Sequence, residues 1–403
     1  MHPAKPSNPV RDVAPEDLLG RPQVHLGQKI ARQRIQGRVV MVTGAAGSIG
    51  SELCRQIAEL NPSALVGFDQ AEKPLFDLAR QLAKSFPELA IHPEIGNITE
   101  SDDVNRAMRQ HQPSIIYHAA ASKHVPLMER HPFAAVENNV FGTLEVATSA
   151  ARHGVESFVL ISTDKAVRPA SIMGATKRVA ELVIRALQRS HGTRFTTVRF
   201  GNVLGSSGSI LPIFKKQLAA GGPLTVTDPN MQRYFMTASE AAQLVLRAFT
   251  LGNGGETFVL DMGEPVKIIN LANRLIRLSG LDPDRDIRIE FTGVRPGEKL
   301  VEELKLSTET MCPTSNPRIS SVVSTEQVDT AQIRFFLEDL QRAVTARDSV
   351  RLIQLIKELI PDYTPSPQLL EESALSTLGR QDQAANWQSV EESLISPATI
   401  ATA

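Results

Sequence analysis

The chain has 403 residues, enough for one large domain or two closely packed ones, and its 42 % hydrophobic and 22 % charged residues are typical of a globular protein. Lys and Arg number 43 against 44 Asp and Glu, so there is no basic excess with which to bind the phosphates of a nucleic acid. The two cysteines, Cys54 and Cys312, exclude a disulfide framework and a cysteine-rich metal site, and they fit a reducing compartment.

The first 36 residues are polar and lack the apolar stretch of a secretory signal. We expect a loosely ordered N-terminal arm over residues 1–36. The sequence contains no run of about 18 apolar residues, so it predicts no transmembrane helix within this chain.

Residues 37–205 alternate short apolar, β-branched runs with segments of helical periodicity. Such runs, separated by helices, predict a parallel sheet covered on both faces, which is the doubly wound α/β class. The predicted strands lie at 38–42, 64–68, 89–95, 114–118, 157–161 and 194–199, with helices over 51–60 and 71–86.

After Gly201 the sequence becomes rich in Gly, Pro and Ser, and helices carry most of the periodicity. Residues 206–325 are therefore expected to form a smaller α/β region that mainly binds substrate. Two amphipathic helices are predicted over 332–347 and 350–359, within a C-terminal helical region at 326–365. Packing is their expected role, with docking of a partner as the alternative. Residues 366–403 have a polar composition that predicts a mobile tail.

A glycine-rich turn with the spacing GxxGxxG joins the first predicted strand to the following helix. Glycines let the backbone approach a pyrophosphate, whose charge faces the helix N-terminus. Asp69 ends the next predicted strand, where a carboxylate accepts hydrogen bonds from ribose hydroxyls and repels a 2′-phosphate. The pattern predicts an NAD site rather than an NADP site, with an ordinary glycine turn as the alternative. Its candidate residues are Gly44, Gly47, Ser48, Ile49, Gly50 and Asp69.

The ends of the third and fourth predicted strands indicate the same cofactor. Asn97 and Ile98 follow the third strand, where an amide side chain suits adenine. Ala119, Ala120 and Ala121 follow the fourth strand, and small residues there let the backbone approach a cofactor. A simple packing seam is the alternative for the alanine run.

Seven motifs resemble those of the extended short-chain dehydrogenases/reductases, specifically the nucleotide-sugar 4,6-dehydratases of bacterial polysaccharide biosynthesis. They span roughly residues 10–365 in order. The N-terminal segment also resembles the part of long members that joins a transmembrane bundle to the catalytic domain, which implies either a soluble variant or a piece of such a protein. The motifs are TGAAGSIGSELCRQI, HAAASKHVPLME, STDKAVRP, MGATKRVAE, RFGNVLGSSGSILPIF, RYFMT and RPGEKL.

The family as a whole uses a Tyr and a Lys four residues later, and here Met173 and Lys177 stand in those places. A thioether accepts no proton at a useful pH, so either the site is inactive or other residues do the acid–base work. Membrane-bound UDP-N-acetylglucosamine dehydratases resemble this chain in having Met at that position and are active. This favours the second reading and a reaction that retains the configuration at C5.

The resemblance implies an acid at the C6 hydroxyl of the sugar and a base at the C5 proton. We assign Asp164 as the acid and Lys165 as the base, the latter with a depressed pKa. Thr163 would hydrogen-bond the 4-OH, while Ser162 and Lys177 would contact the cofactor. An ordered water would relay the 4-OH proton towards Asp164 or Lys177. From the residues alone, a solvated Asp–Lys pair on a loop is the alternative.

The substrate contacts are implied by the same resemblance. Arg233 and Arg295 resemble diphosphate clamps, because a planar guanidinium pairs with two phosphate oxygens. Asn202 resembles an asparagine that contacts the diphosphate or the sugar, and Glu298 would accept from the uridine ribose. Two residues after the alanine run would reach the sugar, with a surface pair as the alternative: Lys123 and His124. No metal site is expected, because the histidines lack partners at ligand spacing.

The expected function is NAD-dependent 4,6-dehydration of a UDP-N-acetyl-hexosamine for glycan biosynthesis. The alternatives are a 4-epimerase, a C6 dehydratase/C5 epimerase, or a catalytically silent NAD-binding scaffold or sensor. The resemblance also implies a homo-oligomer in the cytoplasm, with a position at the inner face of the membrane beside a membrane-associated partner left open.

Overall fold

The computed structural model describes residues 13–22, 27–283, 285–326 and 329–375. The strands in these ranges are β1 (Val39–Thr43), β2 (Ala64–Asp69), β3 (Ala90–Ile95), β4 (Ile115–His118), β5 (Ser157–Thr163), β6 (Arg194–Phe200), β7 (Asn202–Val203), β8 (Leu224–Val226), β9 (Gln232–Arg233), β10 (Phe235–Met236), β11 (Thr257–Leu260), β12 (Val266–Lys267), β13 (Ile289–Phe291), β14 (Glu309–Pro313) and β15 (Ile319–Ser324).

The helices include a π-helical turn (Glu137–Gly142) between α7 and α8 and a 3-10 turn (Asp164–Ala166) directly after β5. The α-helices are α1 (Pro15–Leu19), α2 (Lys29–Ile35), α3 (Ser48–Ala58), α4 (Glu72–Ser85), α5 (Ser101–His111), α6 (Val125–Arg130), α7 (Pro132–Val136), α8 (Thr143–Arg152), α9 (Ile172–Gln188), α10 (Ile210–Ala219), α11 (Ala238–Leu251), α12 (Ile268–Leu278), α13 (Thr330–Thr345) and α14 (Ser349–Leu359). No helix in the described ranges is long and apolar enough to cross a bilayer.

One large sheet organises the fold, in the strand order β14-β15-β11-β6-β5-β4-β1-β2-β3. The seven strands from β11 to β3 are parallel, which confirms the predicted doubly wound α/β class. Strands β15 and β14 add antiparallel at the far edge, a feature that the sequence did not predict.

Both faces of this sheet are buried because successive residues of its strands point to opposite sides. In β1, Val40 and Val42 join the core formed with α3, α4 and α11, whereas Met41 joins the core formed with α5, α8 and α9. The strands therefore read as continuous apolar runs, and their carboxyl ends meet at one edge of the sheet.

The region after β6 is divided between two places. A smaller core packs α10 and α12 against the β8–β13 pair. Strands β11, β14 and β15 return to the large sheet, so the two regions expected at 37–205 and 206–325 share one sheet.

The described parts of the two chain ends are packed rather than loose. Leu18 lies in the smaller core and Ile35 in the core beside α3, so the expectation of a loosely ordered arm is wrong for 13–22 and 27–36. The segment at 367–375 is helical, and Leu369 is buried against α9, so the mobile tail is wrong for residues 366–375. Residues 376–403, also predicted to be mobile, lie outside the described residues.

The predicted C-terminal helices are present as α13 and α14. Their apolar faces pack on α9, where Leu340 and Ile356 are fully buried. Packing, the expected role of these helices, is what the structure shows.

Candidate active site

The carboxyl ends of β1, β4, β5 and β6 open into a cavity of about 530 Å³. Strands of a parallel sheet end on the same side, and in doubly wound folds this is where ligands bind. Most of the predicted site residues line this cavity: Gly44, Gly47, Ser48, Ile49, Gly50, Ala119, Ala121, Lys123, His124, Ser162, Thr163, Lys165, Met173, Lys177, Asn202, Arg233, Arg295 and Glu298.

The glycine-rich turn leaves no room for side chains. Gly44 has a φ of +67°, and a Cβ there would lie 2.5 Å from the backbone nitrogen of Ala120. A Cβ at Gly50 would overlap the carbonyl oxygen of Gly44. Because no side chain covers the turn, a pyrophosphate could approach the backbone at the N-terminus of α3, which faces the cavity.

Asp69 stands beside this turn at the tip of β2. Its Oδ2 accepts a hydrogen bond from the N–H of Ala46, and its Oδ1 accepts one from the N–H of Ala71, both at 2.9 Å. These two bonds fix the carboxylate at the position where the sequence predicted a ribose contact.

The residues after β3 lie outside the cavity lining. The side chain of Asn97 accepts from the N–H of Thr99 at 3.1 Å, and Ile98 is buried against the backbone of Gly142. Their role in holding adenine stays a prediction.

Lys177 presents a buried ammonium to the cavity from the first turns of α9. Among the described residues, its Nζ has no hydrogen-bond partner. Burial lowers the pKa of Lys177 to about 8, with Glu181 opposing the shift. The neighbouring His118 is held between the hydroxyls of Thr43 and Thr143. Burial, helped by Lys177, lowers the pKa of His118 to about 3, so the imidazole is neutral. An unpartnered cation in the wall fits a hydroxyl-rich ligand such as a cofactor ribose.

Asp164 and Lys165 lie in the 3-10 turn after β5, as the motif predicted. Lys165 Nζ donates to Asp164 Oδ1 and to Asn202 Oδ1, both at 3.0 Å. Thr163 donates its hydroxyl to the same Asp164 oxygen at 2.9 Å. The second oxygen, Oδ2, is buried without a partner, and a Cβ at Gly201 would come within 2.8 Å of it. The pair is thus a buried unit at the cavity wall rather than a solvated loop pair.

The structure adds Glu302, which sequence reasoning missed. Its Oε1 lies 3.4 Å from Lys165 Nζ and 3.7 Å from Arg233 Nε, and the residue is 4 % exposed. Its one sequence signal is its place two residues after the RPGEKL motif. We name Asp164, Lys165, Arg233 and Glu302 the cavity cluster.

The electrostatics of the cavity cluster correct one expectation. Burial opposes the charge on Lys165, but Asp164 and Glu302 favour it more strongly, so the pKa of Lys165 is raised. The depressed pKa predicted for Lys165 is therefore wrong for the protein without ligands.

The outer wall of the cavity carries the other predicted substrate contacts. Arg295 is half exposed and donates to Glu298 Oε1 at 2.6 Å, while Glu298 Oε2 is buried without a partner. The His124 ring lies directly beside Gly208, and burial lowers the pKa of both His124 and Lys123. Arg233 is buried and donates to the carbonyl of Gln232 at 2.7 Å.

Comparison with known proteins places the chain in a family. A family profile described as "Polysaccharide biosynthesis protein" matches residues 40–324. The chain belongs to this family. Its homologues and structural neighbours confirm the resemblance to extended short-chain dehydrogenases/reductases.

Two curated relatives of the polysaccharide biosynthesis family are close in sequence. The probable polysaccharide biosynthesis protein EpsC of Bacillus subtilis is 47 % identical over 86 % of this chain and 58 % of its own length. The capsular polysaccharide biosynthesis protein CapD of Staphylococcus aureus is 50 % identical over 74 % of this chain and 50 % of its own length. The chain therefore spans about half the length of these relatives.

More distant relatives have names that specify a reaction. The UDP-N-acetylglucosamine 4,6-dehydratase (inverting) of Campylobacter jejuni is 32 % identical over 66 % of this chain and 77 % of its own length. The UDP-glucose 4-epimerase of Rickettsia rickettsii is 31 % identical over 80 % of this chain and 95 % of its own length. The relatives thus include both dehydratases and epimerases of nucleotide sugars.

Solved structures share the fold. Pen from Bacillus thuringiensis has a TM-score of 0.65 and 32 % identity over 73 % of this chain and 89 % of that chain. WbmH from Bordetella bronchiseptica, in complex with NAD+, has a TM-score of 0.51 and 26 % identity over 64 % of this chain and 87 % of that chain.

Proposed function

We propose that this chain catalyses the NAD-dependent 4,6-dehydration of a UDP-N-acetyl-hexosamine, with UDP-N-acetylglucosamine as substrate and retention at C5. The observation that carries the proposal is the Asp164–Lys165 pair: Lys165 lines the same cavity as Met173, which cannot exchange protons, and the buried Asp164 keeps one oxygen without a partner among the described residues. The name of the Campylobacter relative supports the reaction class, and Met173 is the feature that favours retention.

The residues present fit NAD. The tight glycine turn offers the N-terminus of α3 to a pyrophosphate, Asp69 beside that turn would contact a ribose, and Lys177 Nζ, which has no partner among the described residues, would contact the nicotinamide ribose. When bound, NAD supplies a hydride acceptor at C4 of the sugar and returns the hydride at C6.

Thr163 and Asp164 provide a path for the first proton. The Thr163 hydroxyl already donates to Asp164 Oδ1, so a 4-OH that donates to Thr163 passes its proton to the carboxylate. The protonated Asp164 is then the acid that the departing C6 hydroxyl needs. In this arrangement the chain needs neither a tyrosine at position 173 nor the relay water that the sequence led us to expect.

The same proton transfer prepares Lys165 as the base. Asp164 and Glu302 keep Lys165 charged in the free protein, so protonation of Asp164 removes one of the two anions and lowers the pKa of Lys165. The Lys165 side chain is 20 % exposed, so its proton can leave to solvent in the cavity. The neutral amine then takes the C5 proton, which the new 4-ketone has made acidic, while Asp164 gives its proton to the departing C6 hydroxyl, which leaves as water. The Lys165 ammonium would then return a proton to the same face of C5, as the hydride returns to C6, and this retains the C5 configuration.

Incubation of the purified protein with UDP-N-acetylglucosamine tests the proposal. Mass spectrometry should show loss of one water from the sugar nucleotide, and NMR should show a 4-keto-6-deoxy sugar of unchanged C5 configuration. The reaction in deuterium oxide should place deuterium at C5. If the sugar nucleotide is recovered with its mass unchanged under conditions where NAD is bound, the dehydratase proposal is wrong.

The Rickettsia relative's name makes a 4-epimerase the second candidate. An epimerase would convert the substrate to the galacto isomer with no loss of water and no deuterium at C5. A product with inverted C5 would instead identify a C6 dehydratase/C5 epimerase. An oligomeric state, a membrane-associated partner and a cytoplasmic location remain predictions from the resemblance.

A further inference from the structure

The segment 299–302, which begins with the last two residues of the RPGEKL motif, contacts the turn that carries Lys165. Lys299 Nζ donates to the carbonyl of Val167 at 3.0 Å. The carbonyl of Leu300 accepts from the N–H of Gln232 at 2.8 Å, which ties the segment to β9. The segment therefore connects two elements that each place a cation at the cavity, the turn with Lys165 and the strand with Arg233.

Glu302 occupies the point where these connections converge. Its Oε1 lies 3.4 Å from Lys165 Nζ and 3.7 Å from Arg233 Nε, so one carboxylate oxygen serves two cations. The carboxylate is almost fully buried, whereas the side chain of the next residue, Glu303, is 40 % exposed and pairs with Arg168 and Lys299. A buried carboxylate is unfavourable unless cations compensate its lost hydration. Glu302 therefore holds the side chains of Lys165 and Arg233 in place, and these two cations in turn stabilise the buried Glu302 carboxylate.

We propose that Glu302 is a positioning residue, the shared counter-ion that sets the charge and direction of Lys165 and Arg233 at the cavity wall. The part of this inference that concerns catalysis rests on the proposed function, because it takes Lys165 as the base. The part that concerns charge does not, since it follows from the geometry of the cavity cluster alone.

The charged groups that face Lys165 determine the direction in which each substitution should shift the pKa of Lys165. Asp164 in the same turn and Glu302 favour the protonated amine, whereas Arg233 from β9 opposes it. Asn202 contributes a neutral amide. Removal of the Glu302 charge should therefore ease deprotonation of Lys165, and removal of the Arg233 charge should hinder it. If Glu302 and Arg233 had merely structural roles, removing their charges would not shift the pKa of Lys165 in opposite directions.

The test measures the neutral fraction of Lys165 directly. The protein is labelled at pH 8.5 with a trace of acetic anhydride, and the acylation rate of Lys165 is read by peptide mass spectrometry relative to that of the exposed Lys73. In Glu302→Gln the relative rate should rise about tenfold, which corresponds to a pKa lower by about one unit. In Arg233→Gln it should fall severalfold. The matched control, Glu303→Gln, should leave it unchanged.

The outcomes separate this inference from the proposed function, because labelling needs neither substrate nor turnover. Unchanged labelling in Glu302→Gln, or a rise equal to that in Glu303→Gln, would overturn the inference even if dehydration is observed. Opposite shifts in the two variants would support it even if no 4-keto product forms. If Glu302→Gln does not fold, Glu302→Asp, which draws the carboxylate back from both cations, should still raise the labelling of Lys165 by a smaller factor, and labelling equal to the wild type would overturn the inference. In a protein that is active, the pH midpoint of kcat should move to lower pH in Glu302→Gln by the same amount.

Discussion

The molecule has two groups of largely buried charges that differ in how completely they are paired. In the cavity cluster, Lys165 and Arg233 line the cavity, and Asp164 lies behind its wall with one oxygen unpartnered among the described residues. The second group, which we name the ion network, joins α9, β6, β14 and the second residue after β15. Its members are Arg178, Glu181, Arg199, Glu309 and Glu326.

Arg199 shows what complete pairing looks like. Its guanidinium donates to both oxygens of Glu181 and both of Glu309 at 2.7–2.9 Å. Burial opposes the charge of Glu181, but Arg199 outweighs it and lowers the pKa of Glu181 to about 2. Because its charged groups are paired with one another, the ion network offers no unpaired charge to a ligand.

The contrast between the cavity cluster and the ion network shows which buried charges indicate the binding site. Among the described residues, the buried charged side-chain atoms without a hydrogen-bond partner are Asp164 Oδ2, Lys177 Nζ and Glu298 Oε2. Two of these side chains line the cavity and the third lies behind its wall. Burial of charge alone does not distinguish a binding site from a structural network, whereas an unpartnered charge does.

The largest expected effect comes from the cavity cluster. Lys165→Met removes the proposed base while keeping most of the side-chain volume, so kcat for formation of the 4-keto product should fall by about 10²–10⁴-fold. The amount of bound NAD should stay as in the wild type, whereas the free energy of unfolding in urea should fall, because Asp164 and Glu302 lose a compensating cation. The exposed Lys73→Met is the matched control. Turnover within about twofold of the wild type, well below the usual contribution of a general base, would show that another residue takes the C5 proton.

The ion network should respond in stability. Arg199→Met leaves Glu181 and Glu309 buried without their main cation, which should lower the free energy of unfolding by about 3–5 kcal/mol. Urea unfolding of the protein without ligands measures this. Replacing both glutamates by Gln in the same variant should recover part of the loss, because the uncompensated charges are then gone. A loss below about 1 kcal/mol would place the network among weak surface pairs.

The sequence predicted the cavity residues that belong to local motifs and missed those brought in from a distance. Asp164, Lys165 and Lys177 were singled out because they stand in motifs that resemble those of the family, after a predicted strand and at the start of a predicted helix. Glu302 lies more than 130 residues from Lys165, so only the fold brings them together. The ion network was invisible because Arg178 and Glu181 look like the solvated face of an amphipathic helix.

The same reason explains the errors in the fold. The helices α13 and α14 were predicted, but the segment after them, which adds Leu369 to the same apolar core, has a polar composition that conceals its packing. The antiparallel strands β14 and β15 complete the sheet from 110 or more residues beyond the last predicted strand, in a region without strong alternation. Local pattern therefore predicted six of the seven parallel strands and missed β11, β14 and β15, whose places in the sheet depend on tertiary contacts.

Lys177 tests the comparison between paired and unpaired buried charges, since it is buried and has no hydrogen-bond partner among the described residues. Its folded-state pKa of about 8 lies below the ordinary value of 10.5, so between these pH values the folded protein binds fewer protons than the unfolded chain. The stability of the NAD-free protein should therefore rise with pH across this window. Lys177→Met should abolish that rise, and at pH 7.5 it should be more stable than the wild type by about 1–3 kcal/mol.

Urea unfolding of both proteins at pH 7.5, 8.5 and 9.5 measures this difference. The two stabilities should converge as the pH approaches 9.5, and NAD affinity should be weaker in the variant. Parallel pH curves for the two proteins would mean that the ammonium has a partner when the protein is in solution.

The smallest effect is expected for an exposed ion pair whose N–O distance matches that of a buried pair in the ion network. Arg38 and Glu156 approach to 2.6 Å, close to the 2.7 Å between Arg199 and Glu309, but both side chains are nearly half exposed. A double-mutant cycle with Arg38→Gln and Glu156→Gln should give a coupling of about 0.2–1 kcal/mol that shrinks as salt is added. A coupling as large as that of Arg199 would mean that distance, not burial, sets the strength of ion pairs in this protein.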